Sequence, residues 1–256
     1  MMHFTAFLSL LGTISLTTAQ TPPNAGASGG LIMVLSKPNH PDLTDATFNQ
    51  WYSGSHIRDM LSSNVTDLIL RYKNTNPSVA YPYLALYRLP DLSKLGELGK
   101  VPKTSDLLPG KVKGTKGGAY TDVIEMDTRI YTRTQTFEGQ TVLPGRGKTL
   151  VTASMGVQNG TEGEMDDWYR RQHLDMLSMI EGYHRSTRYA KMDGSNPKFL
   201  AMHELDSYTK GPGMGLVLGT EWAKKVLSTV TASQNDVWEY IVELGKEGLS
   251  EAQMRF

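Results

Sequence analysis

The sequence contains no cysteine. Disulfide bonds, thiolate nucleophiles and cysteine-ligated zinc or iron–sulfur sites are therefore excluded together. An excess of charge is also missing, because Lys+Arg and Asp+Glu both number 26. Without a net field or a basic stripe, nucleic acid is not an expected partner. No histidine spacing indicates a preformed metal site, and Gly145 to Lys148 lacks the spacing of a phosphate loop, which favours a linker.

No run is apolar enough to predict a stable membrane span. Phe4 to Leu16 is apolar but too short for a permanent bilayer helix, and small residues follow it. This pattern predicts a cleaved signal peptide over 1–19, a linker over 20–29 and a secreted protein. The absence of Lys or Arg before the run leaves an intracellular, cytoplasmic chain with an extension as the alternative. Sequons at Asn64 and Asn159 are candidate glycosylation sites after secretion.

The chain carries an internal repeat. Trp51-Tyr52-x3-His56 recurs as Trp168-Tyr169-x3-His173, an offset of 173 − 56 = 117 residues, and Arg71-Tyr72 recurs as Arg188-Tyr189 at the same offset. A repeat of this length indicates two equivalent structural units. We expect repeat 1 over 30–140, a linker over 141–147, repeat 2 over 148–248 and a tail over 249–256.

Each half has the pattern β-α-β-β-α-β of a ferredoxin-like unit. Apolar, β-rich runs bounded by Gly and Pro predict the strands, and capped amphipathic segments predict the helices. The segment Gly211 to Gly219 has four glycines and is interpreted as a flexible connection that could border a ligand site. The predicted fold class is α+β: two tandem ferredoxin-like repeats pack sheet against sheet as an intramolecular, pseudo-dimeric α+β barrel with a cavity between them.

The Trp-Tyr-x3-His motif is the first candidate for chemistry. Tyr52 and His56 are four residues apart and share a helix face, as do Tyr169 and His173. A phenol beside an imidazole can act as an acid–base pair. The alternative is that the aromatic residues are helix-to-sheet packing and the histidine makes one hydrogen bond. Asp59 is placed to form a dyad with His56, whereas Asp175 lies on nearly the opposite side from His173.

The strands supply further candidates. Aligning the repeats puts His203 where the first half has Tyr87, and a barrel-facing position would give the cavity a second imidazole. Arg71 and Arg188 alternate with tyrosines, so only one member of each pair faces the barrel. An inward arginine would bind a carboxylate or phenolate, whereas an outward one would make ordinary ion pairs.

Several segments together resemble a known family. GLIMVLSKP at Gly30, FNQWYSGSHI at Phe48, LRYKNTNP at Leu70, PYLALYRL at Pro82 and MDDWYRRQHLDMLS in the second half resemble fungal EthD-domain proteins. The resemblance runs from Gly30 to about Leu244. It implies the dimeric α+β barrel superfamily, whose members act on small aromatic or polyketide-like molecules with little or no cofactor. It also implies that His56 and His173 are the site positions.

These observations favour a cofactor-independent lyase or isomerase acting on a phenolic or polyketide-like small molecule, in a monomer or homodimer. His173 would be the general acid or base, Tyr169 would orient it, and His203 or Tyr87 would contact a substrate oxygen. The matching catalytic candidates in repeat 1 are His56 and Tyr52. The other substrate-binding candidates are Trp51, Trp168, Arg71 and Arg188. One alternative is a non-catalytic binding or stress-response protein, and another is a haem- or oxygen-dependent oxidoreductase.

Overall fold

The computed structural model describes residues 29–208 and 212–256. The predicted signal peptide and all but the last residue of the 20–29 linker lie outside these ranges. Eight strands form the framework of the described chain. They are β1 Gly30–Pro38, β2 Leu68–Asn74, β3 Tyr83–Leu89, β4 Ile124–Phe137, β5 Thr149–Val157, β6 Tyr183–Lys191, β7 Phe199–Leu205 and β8 Val230–Gly245.

All eight strands close into one antiparallel barrel. The order around it is β1-β3-β2-β8-β5-β7-β6-β4, with β4 returning to β1. The first four strands have the order 4-1-3-2, and so do the last four. The fourth strand of each set also pairs with the other set, β4 with β6 and β8 with β2. The predicted α+β barrel of two ferredoxin-like units is therefore confirmed.

Helices cover the outside of the barrel. In repeat 1, α1 (Asp45–Trp51) passes through a π turn (Tyr52–His56) into α2 (Ile57–Ser62); a 3₁₀ segment (Leu92–Lys100) and α3 (Tyr120–Val123) follow. In repeat 2, α4 (Glu162–Trp168) passes through a second π turn (Tyr169–His173) into α5 (Leu174–Ser178). The remaining helices are α6 (Pro212–Gly219) and α7 (Glu221–Leu227).

Local signals explain where the helices begin. The Thr44 hydroxyl accepts a hydrogen bond from the Thr47 N–H and caps α1, as its position in the sequence predicts. The sequence spacing of Thr161 and Glu164 predicts a capping box at the start of α4, but this box does not form. Thr161 makes no capping bond, and Glu164 instead accepts a hydrogen bond from the Trp222 indole. That bond ties α4 to α7.

The barrel lumen is filled rather than hollow. A buried cluster draws side chains from all eight strands and no helix, which places it inside the barrel. Its aromatic members include Tyr72, Tyr131, Tyr189 and Trp238, and the Trp238 indole donates to Thr152 Oγ1 at 2.9 Å. The expectation of a cavity between the two sheets is therefore wrong, because large side chains from both sheets meet across that space.

A buried ion pair closes one end of the lumen. Arg146, in the segment predicted as a linker, contacts Glu204 at 2.5 Å and Glu243 at 2.8 Å. Glu204 also accepts the Gly147 N–H, and Phe256 packs into the lumen nearby. The guanidinium thus has a structural role that no motif indicated.

Two other predictions need correction. The glycine-rich 211–219 segment forms helix α6 from Pro212 onward, because Met214 and Val217 pack into the cluster that α6 shares with α5 and α7, whereas Leu216 and Leu218 stay exposed. The strand expected over 119–136 begins with the short helix α3 before β4 starts at Ile124. Among residues 29–208 and 212–256, none of the helices is both long and apolar enough to cross a bilayer.

Candidate active site

The Trp-Tyr-x3-His motifs lie between the helices and the outer face of the barrel. Each gathers five buried side chains at equivalent positions. We call Trp51, Tyr52, His56, Arg71 and Tyr87 site 1. We call Trp168, Tyr169, His173, Arg188 and His203 site 2. Every one of these side chains is at most 7% exposed.

The side of the sheet that carries these residues was left open by the sequence. Arg71 and Arg188 face the covering helices, whereas Tyr72 and Tyr189 face the lumen. Tyr87 and His203 also lie under the helices. All the sequence-predicted site residues therefore come together in two clusters, but outside the lumen rather than within it.

The π turn determines how each histidine is presented. Residues five apart in an α-helix point about 140° away from each other, so Trp51 could not contact His56. A π turn hydrogen-bonds residues five apart and brings both to one side. The Trp51 and His56 rings stack with centroids 4.7 Å apart, and Trp168 and His173 stack at 4.1 Å. The sequence predicts one continuous α-helix around each motif, and this prediction is wrong because a π turn interrupts both helices.

An arginine lies against the tyrosine ring in both sites. The guanidinium carbon is 4.2 Å from the Tyr52 ring centre in site 1 and 4.1 Å from the Tyr169 ring centre in site 2. Arg71 is held by hydrogen bonds to Ser53 and Asn49. Cation–π contact of this kind stabilises a buried charge.

Arg188 has a different set of partners. It donates to Asp166 Oδ1 at 2.8 Å and to Gln135 Oε1 at 2.7 Å. Burial lowers the pKa of both arginines, and the charge of neighbouring tyrosine hydroxyls opposes that effect. Each site therefore contains a fixed, desolvated cation.

The two sites differ at one position. In site 1 the hydroxyls of Tyr52 and Tyr87 are hydrogen-bonded to each other at 2.7 Å. In site 2 His203 replaces the second tyrosine, and Tyr169 has no side-chain hydrogen-bond partner among the described residues. Burial raises the pKa of Tyr52 and of Tyr169 to about 12, so both hydroxyls keep their protons at neutral pH. Only the Tyr169 hydroxyl remains available to a ligand.

His203 is oriented by a polar chain that the sequence did not reveal. Its Nδ1 is hydrogen-bonded to Ser186 Oγ at 2.7 Å, and Tyr183 donates to the same serine oxygen at 2.8 Å. Ser186 is the residue directly opposite His203 in the β6–β7 pairing. The strand register would have identified it, but register is not readable from one sequence. Nε2 of His203 is left for a partner outside this chain of bonds.

The histidines are neutral at physiological pH. Burial lowers the pKa of His56 to about 4, with a further contribution from Arg71. Burial and Arg188 lower the pKa of His203 to about 4, and burial, His203 and Arg188 lower that of His173 well below its usual value. The His173 and His203 rings are 6.0 Å apart. Site 2 thus presents two uncharged imidazoles close together.

Both sites contain buried polar atoms without a partner among the described residues, but on different groups: in site 1 the atom is Arg71 Nε, and in site 2 the atoms belong to the stacked rings. Trp168 Nε1 and His173 Nδ1 are buried without a partner among the described residues, and the matching atoms of Trp51 and His56 are not in that condition. Buried polar groups normally have a partner, so such atoms call for an explanation. A small polar ligand or water at this position would satisfy them.

No carboxylate completes a dyad with either motif histidine. Within the described part of the chain, Asp59 makes no hydrogen bond to His56, and Asp175 is exposed. The possible His56–Asp59 dyad is therefore absent. A different pair exists on β6, where His184 Nε2 lies 2.7 Å from Asp206 Oδ1. In the described ranges no three His, Cys, Asp or Glu side chains converge as a metal-binding group.

A cleft of about 570 Å³ lies beside site 2. Met176 and Leu205 line it. Met176 follows His173 by three residues, and Leu205 follows His203 by two on the same strand face. Two lining residues are therefore displaced from the histidines by about one helical turn along α5 and by about 7 Å along β7. None of the five residues of site 2 lines it, and helix α6 supplies one wall.

Both sequon asparagines are exposed. Asn64 has a positive φ of 61°, and its amide oxygen accepts a hydrogen bond from Lys246. Asn159 lies in the turn before α4. Both side chains are accessible to a glycosyltransferase, and glycosylation stays a prediction.

Comparisons with known proteins support the fold. No family profile matches the chain. A protein of the fungus Stachybotrys chlorohalonatus named core atranone cluster protein 1 is 29% identical over 197 residues, covering 69% of this chain and 82% of that protein.

Several solved structures share the fold of this chain although their sequences are very different from it. A monooxygenase-like protein of Fusobacterium nucleatum matches with a TM-score of 0.58 and 8% identity over 88% of this chain and 97% of its own. An anthrone oxidase-like protein has a TM-score of 0.56 and 9% identity, covering 86% and 94%. A mutant chlorite dismutase from Candidatus Nitrospira defluvii has a TM-score of 0.51 and 8% identity, covering 84% and 91%. The chain therefore has the dimeric α+β barrel fold, formed here by two halves of one polypeptide.

Proposed function

We propose that the chain is an EthD-like enzyme of lyase or isomerase type that acts on a phenolic or polyketide-like small molecule at site 2. The observation that carries this proposal is the pair of neutral imidazoles, His173 and His203, beside an unpaired Tyr169 hydroxyl and the cation of Arg188. Site 1 has the same frame, but its two tyrosine hydroxyls satisfy each other. The relative named for the core atranone cluster supports a role in the chemistry of a natural product.

The chemistry follows from the charges. A carbonyl oxygen of the substrate would accept a hydrogen bond from the Tyr169 hydroxyl, with Arg188 stabilising the negative charge that develops there when the α carbon loses a proton. His203 or His173 would remove a proton from the adjacent carbon. Return of that proton to another carbon completes an isomerisation, and loss of a neighbouring hydroxyl as water completes a dehydration. The anion formed next to the imidazole raises its pKa, because an opposite charge favours the protonated form.

The test begins with metabolite profiles of a strain that lacks the gene. An accumulating compound, supplied to the purified protein, should be converted. His173→Phe keeps an aromatic ring against Trp168, and His203→Tyr reproduces the residue of site 1. Each should reduce kcat by about 10²–10⁴-fold, the usual contribution of a positioned base. His56→Phe is the matched change in site 1. Full turnover in a His56→Ala, His173→Ala double variant would refute catalysis by the motif histidines, and full turnover in His203→Tyr as well would refute catalysis at site 2.

A binding protein is the second candidate. The cleft of about 570 Å³ favours it, since none of the residues of site 2 lines this cleft. Retention of an unchanged compound from the producing strain, detected by mass spectrometry of the purified protein, would support binding without turnover.

An oxidoreductase remains the third candidate, because neighbours of the same fold are named for oxidase, monooxygenase or chlorite dismutase activity. Sequence identities of 8–9% to these proteins support a shared fold and not a shared activity. An absorption spectrum of the purified protein with a Soret band would select this candidate.

Secretion is proposed from the predicted signal peptide at 1–19. Amino-terminal sequencing of the mature protein should give Gln20 as the first residue. A glycosidase that removes N-linked sugars should increase gel mobility through Asn64 or Asn159. An intact Met1 overturns the proposal.

A further inference from the structure

The cleft beside site 2 is apolar with one acidic wall. Its apolar lining includes Met176, Ile180, Leu205, Met214, Leu216 and Val217. Two carboxylates, Glu181 and Asp206, also line it, and none of its described lining residues is basic. An apolar cleft with a few placed polar groups is the usual form of a small-molecule site.

Asp206 is held in place by a buried histidine. His184 is 4% exposed, and its Nε2 lies 2.7 Å from Asp206 Oδ1. A carboxylate can only accept, so Nε2 carries the proton, and the buried Nδ1 of His184 has no partner among the described residues. The Asp206 N–H donates to Gly182 O at 2.8 Å. Oδ2 accepts no hydrogen bond from any described residue, and the carboxylate as a whole remains 60% exposed toward solvent.

We propose that this cleft holds the apolar body of an uncharged substrate and that Asp206 accepts a hydrogen bond from its hydroxyl group. The proposal rests on the proposed function, because it assigns the cleft to the substrate of site 2. Leu205, which lines the cleft, lies two residues beyond His203 on the same strand face, about 7 Å along β7, so the cleft is next to that side of site 2. A carboxylate or phosphate ligand is disfavoured by repulsion from Asp206 and Glu181, which solvent screens in part because both side chains are exposed.

The experiment measures binding with two probes of similar shape. Isothermal titration of the full chain at pH 7 compares 2-naphthol, which is neutral, with 2-naphthoate, which is ionised. We expect 2-naphthol to bind at least about tenfold more tightly, a modest value for like charges near a partly exposed carboxylate. Asp206→Asn should reduce the ratio to about threefold or less. The asparagine amide oxygen can still accept from His184, so the fold is retained, which circular dichroism verifies.

Two further variants make the result specific. Glu239→Gln removes one negative charge from an exposed position of β8 outside the cleft, and it should keep the wild-type ratio. Lys210 lies in the sequence between the lining residues Tyr208 and Gly213, so Lys210→Ala is measured as well and should keep the preference. Equal binding of both probes, a preference for naphthoate, or an unchanged ratio in Asp206→Asn overturns the proposal.

The outcome is separable from that of the proposed function. His173→Phe should lose turnover and retain the preference for 2-naphthol. Loss of turnover in that variant together with absence of any preference in the wild type rejects only the role of the cleft. A clear preference together with full turnover in His173→Phe rejects only catalysis by His173.

Discussion

Replacing His56 by phenylalanine should make the protein less sensitive to acid. His56 is 7% exposed, is stacked on Trp51, and has a pKa lowered by burial from 6.5 to about 4. Between those two pH values the unfolded chain binds a proton at this imidazole and the folded chain does not. Stability therefore falls as the pH falls through this window.

The size of the effect follows from the two pKa values. At pH 5 the difference amounts to about 2 kcal/mol for one imidazole, and at pH 7.5 it is close to zero. His56→Phe removes this titration and keeps an aromatic ring against Trp51. Relative to wild type, the free energy of unfolding of the variant should therefore gain about 2 kcal/mol on going from pH 7.5 to pH 5.

Urea unfolding followed by circular dichroism at pH 5, 6 and 7.5 measures this difference. His203 has a similarly lowered pKa in both proteins, so its contribution cancels in the comparison. Additional measurements at pH 8 and 8.5 give the internal control, because above pH 7.5 the unfolding free energies of the two proteins should change in parallel. If they remain parallel down to pH 5, the imidazole of His56 is not buried in its neutral form and the geometry of both sites is in doubt.

Other substitutions test the packing that positions the sites. Thr152→Val leaves the buried Trp238 indole without its acceptor and should cost about 1–3 kcal/mol in urea unfolding, whereas a loss below 0.5 kcal/mol contradicts the bond. Arg146→Ala removes the main partner of the buried Glu204 carboxylate and should cost about 3 kcal/mol, the low end for a broken buried pair, because Arg185 remains 3.9 Å away; adding Glu204→Gln should recover part of that loss, and no recovery argues against the ion pair. Thr44→Ala removes the cap of α1 and should lower stability by about 1 kcal/mol, measured by thermal unfolding, with an unchanged melting temperature as the contrary result.

The repeat made most of the fold predictable. The 117-residue offset between His56 and His173 fixes two equivalent units before any strand is assigned. Alternating and apolar runs then locate strands such as Tyr83–Leu89 and Phe199–Leu205 at the residues where the structure has them. What periodicity cannot show is which face of a strand looks inward. The alternation of Arg71 and Tyr72 fits a strand with the arginine in the lumen as well as a strand with the tyrosine there. The expectation of a cavity between the sheets therefore depended only on the symmetry of the two repeats.

The sequence supplied the candidate residues, which the structure gathers into two clusters, but it did not supply their geometry. His203 could be matched to Tyr87 by alignment, and both lie in their clusters. The stack of His173 on Trp168 depends on a π turn, which a pattern of helix-forming residues does not reveal. Ser186 and Asp206 were missed because each acts through a strand pairing or a turn between segments distant in sequence.

Joining the two half-barrels in a single polypeptide has an evolutionary consequence. In a dimer of identical subunits, every substitution appears in both subunits. A substitution that improves one site therefore also changes the other site, even where it destabilises the protein there. Here the equivalent positions differ, since repeat 1 has Tyr87 and repeat 2 has His203. Repeat 1 can therefore keep the hydrogen bond between Tyr52 and Tyr87 that joins its helix to the sheet. Repeat 2 can change independently of that bond.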